Sequence, residues 1–301
     1  WRALAAARRP EAVARLREVL ESDPHDLASW EALRVAARDQ GEWEDVVRAC
    51  DTLADALEGA DRHEMREEAA AALMDHLDRP DEAEQRLREV VEADRSRPNA
   101  YFRLHDLLVD RGDEDALLEL VEKRIHAIDD GAQLERLFYE KARLHRSRGE
   151  LDAALEAIEN LVMLDEQHVG GIALAVEIHV SREDWRAAVE GLRQIAAADV
   201  PAKQKRISLL GAADFLEHKL DDASGALDQL REVERLGLAD GALYRRMADV
   251  AVRAGRAADA ADVMVKAAEQ SEGERRAALF KRAGQLQAEA LSLPQAAVQS
   301  Y

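Results

Sequence analysis

Residues 16–33 read Leu-Arg-Glu-Val-Leu-Glu-Ser-Asp-Pro, then His-Asp-Leu-Ala-Ser, then Trp-Glu-Ala-Leu. An amphipathic helix ends here, Asp23-Pro24 stops it, and a second helix begins with Trp30 facing inward. The stretch returns. Leu16-Arg17-Glu18-Val19 recurs as Leu87-Arg88-Glu89-Val90, as Ile158-Glu159-Asn160-Leu161 and as Leu230-Arg231-Glu232-Val233, at steps of 71, 71 and 72 residues. Recurrence at a fixed period marks a helical repeat array, in which a unit buries its apolar face only against its neighbours.

Each second helix carries one small or apolar residue at a matching place: Ala12, Val46, Ala83, Leu117, Ala154, Ala188, Ala226, Ala260 and Ala297. Their steps alternate between 34 and 37 or 38 residues, so the period is a pair of units, read here as 34-residue units joined by a slightly longer connection. Alanine at these places suits close helix-to-helix contact. The prolines at 10, 24, 80, 98, 201 and 294 fall at the proposed turns, where a missing N–H costs little. Gly41, Gly112, Gly149 and Gly255 fall between the two helices of a unit, where a left-handed cap suits glycine. About sixteen short antiparallel helices and no strands are expected.

Within the units the residues resemble the tetratricopeptide repeat. Trp30, Leu33, Gly41, Cys50 and Leu53 fill that frame in one unit, and Tyr101, Leu104, Gly112 and Val121 in another. Phe138, Ala142, Gly149, Ala154, Ile158 and Leu161 fill a third, and Tyr244, Ala248, Gly255, Ala260, Met264 and Ala267 a fourth. Arg34, His105 and Arg124 depart from it, standing where the family has small residues. The resemblance implies an all-α α-solenoid, a right-handed superhelix of antiparallel helix pairs. Its units run over 1–26, 27–60, 61–97, 98–131, 132–168, 169–202, 203–240, 241–272 and 273–301 as a single array. The chain starts at Trp1 and stops at Tyr301, each apparently within a helix, and is read as part of a longer array. Tyr301 corresponds to Leu16 and Leu87, so a continuation close to Arg-Glu-Val is expected.

Acidic residues outnumber basic ones 62 to 42, a formal charge of −20. That balance repels phosphate backbones and speaks against a nucleic-acid partner. No apolar run reaches the roughly 18 residues needed to span a bilayer. The segment is therefore read as soluble, with a cytoplasmic setting preferred to a periplasmic one. A single cysteine, Cys50, rules out an internal disulfide framework.

No pattern of catalytic or metal-binding residues stands out, and no enzyme activity, cofactor or metal is expected. The nine histidines hold no helical zinc spacing; His145 and His179 share a packing position. Cys50 reads as a buried small hydrophobe and lacks the partners of a nucleophile. Asp110, Asp113 and Asp115 form an acidic turn, but Val121 stands where a calcium loop needs its Glu. Gly170-Gly171 reads as a turn, because no Lys-Ser/Thr follows it. Trp43 and Trp185, at one repeat position, read as packing the start of a second helix.

In the tetratricopeptide family, ligands lie along the face lined by first helices. The family's carboxylate clamp is missing: the sixth positions are Ala32, Ala69, Arg103, Glu140, Leu174, Ala212 and Arg246, with no Asn. Chaperone-tail binding is therefore disfavoured. A patch of Phe102, Arg103, Arg136, Tyr139, Arg143 and Arg146 is the expected partner-binding site, suited to a peptide carrying acidic and apolar residues. The competing reading has both aromatics packed inward and the arginines paired with Glu135, Glu140 and other local acids. The expected function is a non-catalytic protein-interaction scaffold, binding peptides or proteins on the concave face. The alternatives are a self-assembling spacer array in a large bacterial complex and a regulatory appendage of an enzyme outside this segment.

Overall fold

The computed structural model describes residues 11–289. Among them are sixteen α-helices and no strand. They are α1 (Glu11–Ser22), α2 (Leu27–Gln40), α3 (Trp43–Ala56), α4 (Gly59–Asp75), α5 (Pro80–Ala93), α6 (Pro98–Arg111), α7 (Glu114–Ile125) and α8 (Gly131–Ser147). The series continues with α9 (Leu151–Leu164), α10 (Val169–Ser181), α11 (Trp185–Ala197), α12 (Ala202–His218), α13 (Ala223–Arg235), α14 (Gly241–Arg253), α15 (Ala257–Glu269) and α16 (Gly273–Glu289). Within each compact unit most helices consecutive in the chain pack on one another, giving an all-α array of antiparallel helix pairs. The chain divides into two compact units, Trp1–Leu137 and Phe138–Tyr301.

The recurring residues are the core. Leu16, Leu87, Ile158 and Leu230 are buried, as are Ala12, Val46, Ala83, Leu117, Ala154, Ala188, Ala226 and Ala260. Ala297, Pro10, Pro294 and both terminal residues lie outside the described residues. Pro80 and Pro98 open α5 and α6, where a helix needs no N–H. Trp30 is buried, and its Nε1–H donates to the Pro24 carbonyl at 2.8 Å, fastening the start of α2 to the turn before it.

The alternation of unit length has a different origin from the one expected. The extra residues are not in the connections. They lengthen the first helix of every second unit: α4, α8, α12 and α16 have 17 residues each, against 13 or 14 in α2, α6, α10 and α14. Three or four residues make one helical turn, so the insertion lengthens a helix without rotating its apolar face away from the core.

Among the described residues, each turn between the two helices of a unit passes through one left-handed residue. Gly41, Gly112, Gly149 and Gly255 take this role, with φ between 67° and 76°. In three other units it falls to Asp78, Glu183 and Asp221, at φ 54°, 58° and 51°. The residues that depart from the family frame are absorbed by polar contacts. Arg124 is buried with its guanidinium 5.2 Å from the centre of the Tyr101 ring, and it donates to the Arg95 carbonyl at 3.0 Å. Arg34 reaches Glu31 and Glu68.

Much of the charge is structural. Asp26, Asp113, Asp184, Asp222 and Asp240 cap helix N-termini through their side chains. Arg–carboxylate pairs tie several helices to counterparts one unit away: Arg17 to Asp45, Arg86 to Asp51, Arg97 just before α6 to Glu67, Arg231 to Asp259 and Arg246 to Glu217.

Candidate functional site

Phe102, Arg103 and Arg136 lie in the first compact unit, and Tyr139, Arg143 and Arg146 in the second. Phe102 points outward, 54% exposed, with its ring edge-on to Tyr101. Both terminal nitrogens of Arg103 are engaged by the two carboxylate oxygens of Asp75, at 3.1 and 3.0 Å. Arg136 is exposed. Tyr139 is half-buried against the core of Ala142, Ala154, Ile158 and Ile178, with its ring 5.3 Å from that of His168. Arg143 is exposed, and Arg146 pairs with Glu177 at 2.7 Å. The aromatics thus divide: Phe102 is presented to solvent, while Tyr139 is mostly framework. Ala32, Ala69, Leu174 and Ala212, expected on the ligand face, are buried in the helix packing.

The titratable residues have structural surroundings. Cys50 is buried, and that burial pushes its thiol well above the ordinary range. His145 is buried with Nδ1 2.6 Å from Glu150. No group of three or more His, Cys, Asp or Glu that could hold a metal occurs among the described residues. Trp43 stacks on His76 at 3.6 Å, and Trp185 lies 5.3 Å from Phe215, so both pack the start of a second helix against the following first helix. Gly170 and Gly171 form no loop. They lie in the first turn of α10, where a Cβ on Gly171 would sit 2.6 Å from Leu161 Cδ2; close approach of α10 to α9 is the reason for glycine there.

The surface feature that the residue patterns missed is an apolar groove within the second unit, between second helices α9 and α11, with α10 as its floor. Its volume is about 850 Å³. Leu155, Val162 and Met163 of α9, Ile172 and Val176 of α10, and Ala187 of α11 line it. Met163 is 79% exposed. Carboxylates stand on the rim: Glu159 and Glu166 on one side, Glu190 on the other. Glu190 has a loose pairing with Arg193 at 3.7 Å, and neither Glu159 nor Glu166 is ion-paired among the described residues. One sequence signal was present: Leu155 and Val162 form a second apolar stripe on α9, beside the core stripe of Ile158 and Leu161.

A scan against protein-family models finds no match, and neither does a comparison with curated proteins. Solved structures do match. The likeness is to tetratricopeptide repeat proteins. One from Parabacteroides merdae is 18% identical, covering 79% of this chain and 90% of that one, with a TM-score of 0.40. The C-terminal part of a tetratricopeptide repeat-containing protein from Cytophaga hutchinsonii is 15% identical, covering 82% and 96%, at 0.44. A chain of the Naa15/Naa10 complex bound to HypK is 12% identical, covering 96% and 59%, at 0.44. At these identities and scores they carry no functional inference, and the fold assignment rests on the helices themselves. No helix among the described residues is long and apolar enough to cross a membrane.

Proposed function

We propose that this chain is a non-catalytic protein-interaction scaffold. The observation that carries the reading is the open apolar groove between α9 and α11. Within it Met163 is exposed and Leu155 and Val162 are only partly buried. A cavity of that size lined by aliphatic side chains is suited to an anchor from another protein. The groove opens between second helices and not along the first-helix face expected from the family. Phe102, in its own unit, is a further contact supported by its exposure. Arg103, Arg136, Tyr139, Arg143 and Arg146 remain proposed partner contacts, and Arg136, Arg143 and Arg146 are exposed.

The test is affinity capture from the native lysate, with partners identified by mass spectrometry. Three baits are compared: the wild-type chain, Arg143→Glu/Arg146→Glu, and Glu159→Arg/Ala187→Asp, which bridges the groove. A partner lost with the groove variant supports scaffolding through the groove, and one lost with the arginine variant supports the first-helix patch. Capture equal with all three baits, or of the array itself alone, overturns the reading in favour of a spacer array.

A further inference from the structure

Two bridges found elsewhere in the array are both missing from the groove. Between α1 and α3, Arg17 pairs with Asp45; between α13 and α15, Arg231 pairs with Asp259. The residues at these places between α9 and α11 are Glu159 and Ala187, 142 residues after the first pair and 72 before the second. A second bridge uses lysine: Lys123 reaches back from α7 to Glu92 on α5, and Lys266 from α15 to Glu234 on α13 at 2.7 Å. Here the corresponding residue is Gln194. Between α5 and α7, where Lys123 makes the second bridge but Ala116 stands in the place of Asp45 and Arg88 turns to Glu84 of its own helix, the space is only about 20 Å³.

We infer that the groove takes a basic amphipathic helix from a partner protein, whose cations stand in for the arginine and lysine the array omits here. This rests on the scaffold reading above and adds the partner's chemistry. Charge complementarity selects the sign: Glu159, Glu166 and Glu190 rim the groove, and the repeat's usual arginine is itself replaced by a carboxylate. The groove's composition selects a helix over an extended strand. Its walls are helices with satisfied backbones, so a strand laid against them would leave its own N–H and C=O groups unpaired, whereas a helix arrives with them paired. A helix can also seat its side-chain ridges between α9 and α11.

The experiment uses the whole chain and two fluorescent probes in an anisotropy titration: a synthetic amphipathic helical peptide of Leu and Lys, and its Leu and Glu counterpart. The Leu/Lys peptide binds and the Leu/Glu peptide does not. Glu159→Arg/Ala187→Asp, which copies the array's own bridge, weakens binding at least ~10-fold, about 1.4 kcal/mol. Met163→Glu/Gln194→Lys copies the lysine bridge with no change in net charge and weakens it likewise. Glu274→Gln, on the surface of α16, changes net charge by the same amount as the first variant and leaves binding unchanged. Circular dichroism confirms that each variant is folded. Equal binding of both peptides, no binding of Leu/Lys, or equal weakening by the bridge and Glu274 variants overturns the inference. If native partners are lost with the bridge variants while the Leu/Lys peptide never binds, scaffolding through the groove stands and the basic helix falls. Capture unaffected by the bridges removes scaffolding through the groove, and capture also unaffected by Arg143→Glu/Arg146→Glu removes the scaffold reading itself.

Discussion

Glu183 holds a backbone conformation that its side chain disfavours. At φ 58° it occupies the place that Gly41, Gly112 and Gly255 fill in other units, and a Cβ in the left-handed region costs about 1–2 kcal/mol. Glu183→Gly should therefore stabilise the chain by about 1 kcal/mol in urea unfolding, after the larger chain entropy of glycine is offset. A loss of stability would show that the Glu183 side chain contributes something the backbone argument omits. Cys50 makes a prediction with a definite sign. Burial raises its thiol pKa, so the folded chain keeps the proton when the unfolded chain, at an ordinary pKa near 8.5, has released it. Stability from this group is full below about pH 8.5 and declines above it, by up to about 1.4 kcal/mol per pH unit. Denaturant titrations between about pH 8 and 10 should show this decline in the wild type and a shallower one in Cys50→Ala.

At the scale of elements, the second helices α1, α5, α9 and α13 each bury a large aliphatic residue at the recurring core position. Leu87 in α5 is fully buried and Ile158 in α9 is 4% exposed, so Leu87→Ala and Ile158→Ala should each cost about 2–5 kcal/mol. Thermal melting of the two variants checks this; a cost under about 1 kcal/mol would mean the site collapses around the missing methyl groups. Ties between first helices are electrostatic. Glu217 of α12 is taken up by Arg246 and Arg253 of α14. Burial alone would raise its carboxyl pKa, but the two guanidiniums outweigh burial and hold it below the ordinary value. A depressed pKa contributes stability above the unfolded value and loses it as pH falls through the folded one. The acid side of the stability profile, below about pH 4.3, should accordingly be shallower in Glu217→Gln than in the wild type. Identical acid limbs would mean the arginines contribute packing and not charge.

For the whole molecule, composition alone carries one prediction. With a formal charge of −20 the chain should leave duplex DNA unshifted in a gel even at low salt, since there is no net basic surface to release counterions. The repeat itself was legible without coordinates, because period, small-residue spacing and turn residues all answer to local rules. The buried series from Ala12 to Ala260 and the left-handed glycines follow from near-neighbour sterics that a sequence displays directly. The location of the extra residues in alternate units was not legible: a longer connection and one more helical turn place the next repeat at the same spacing. Nor could the fate of individual outward residues be read. Phe102 and Tyr139 share a repeat position, yet one is exposed and the other packs beside His168. The sequence by itself determined an all-α array and its period, since those depend on residues close in the chain. Only the tertiary structure decided where surface was left uncovered. The groove between α9 and α11 lies where Glu159, Ala187 and Gln194 make none of the bridges seen elsewhere in the array, and such a missing contact has no local signature.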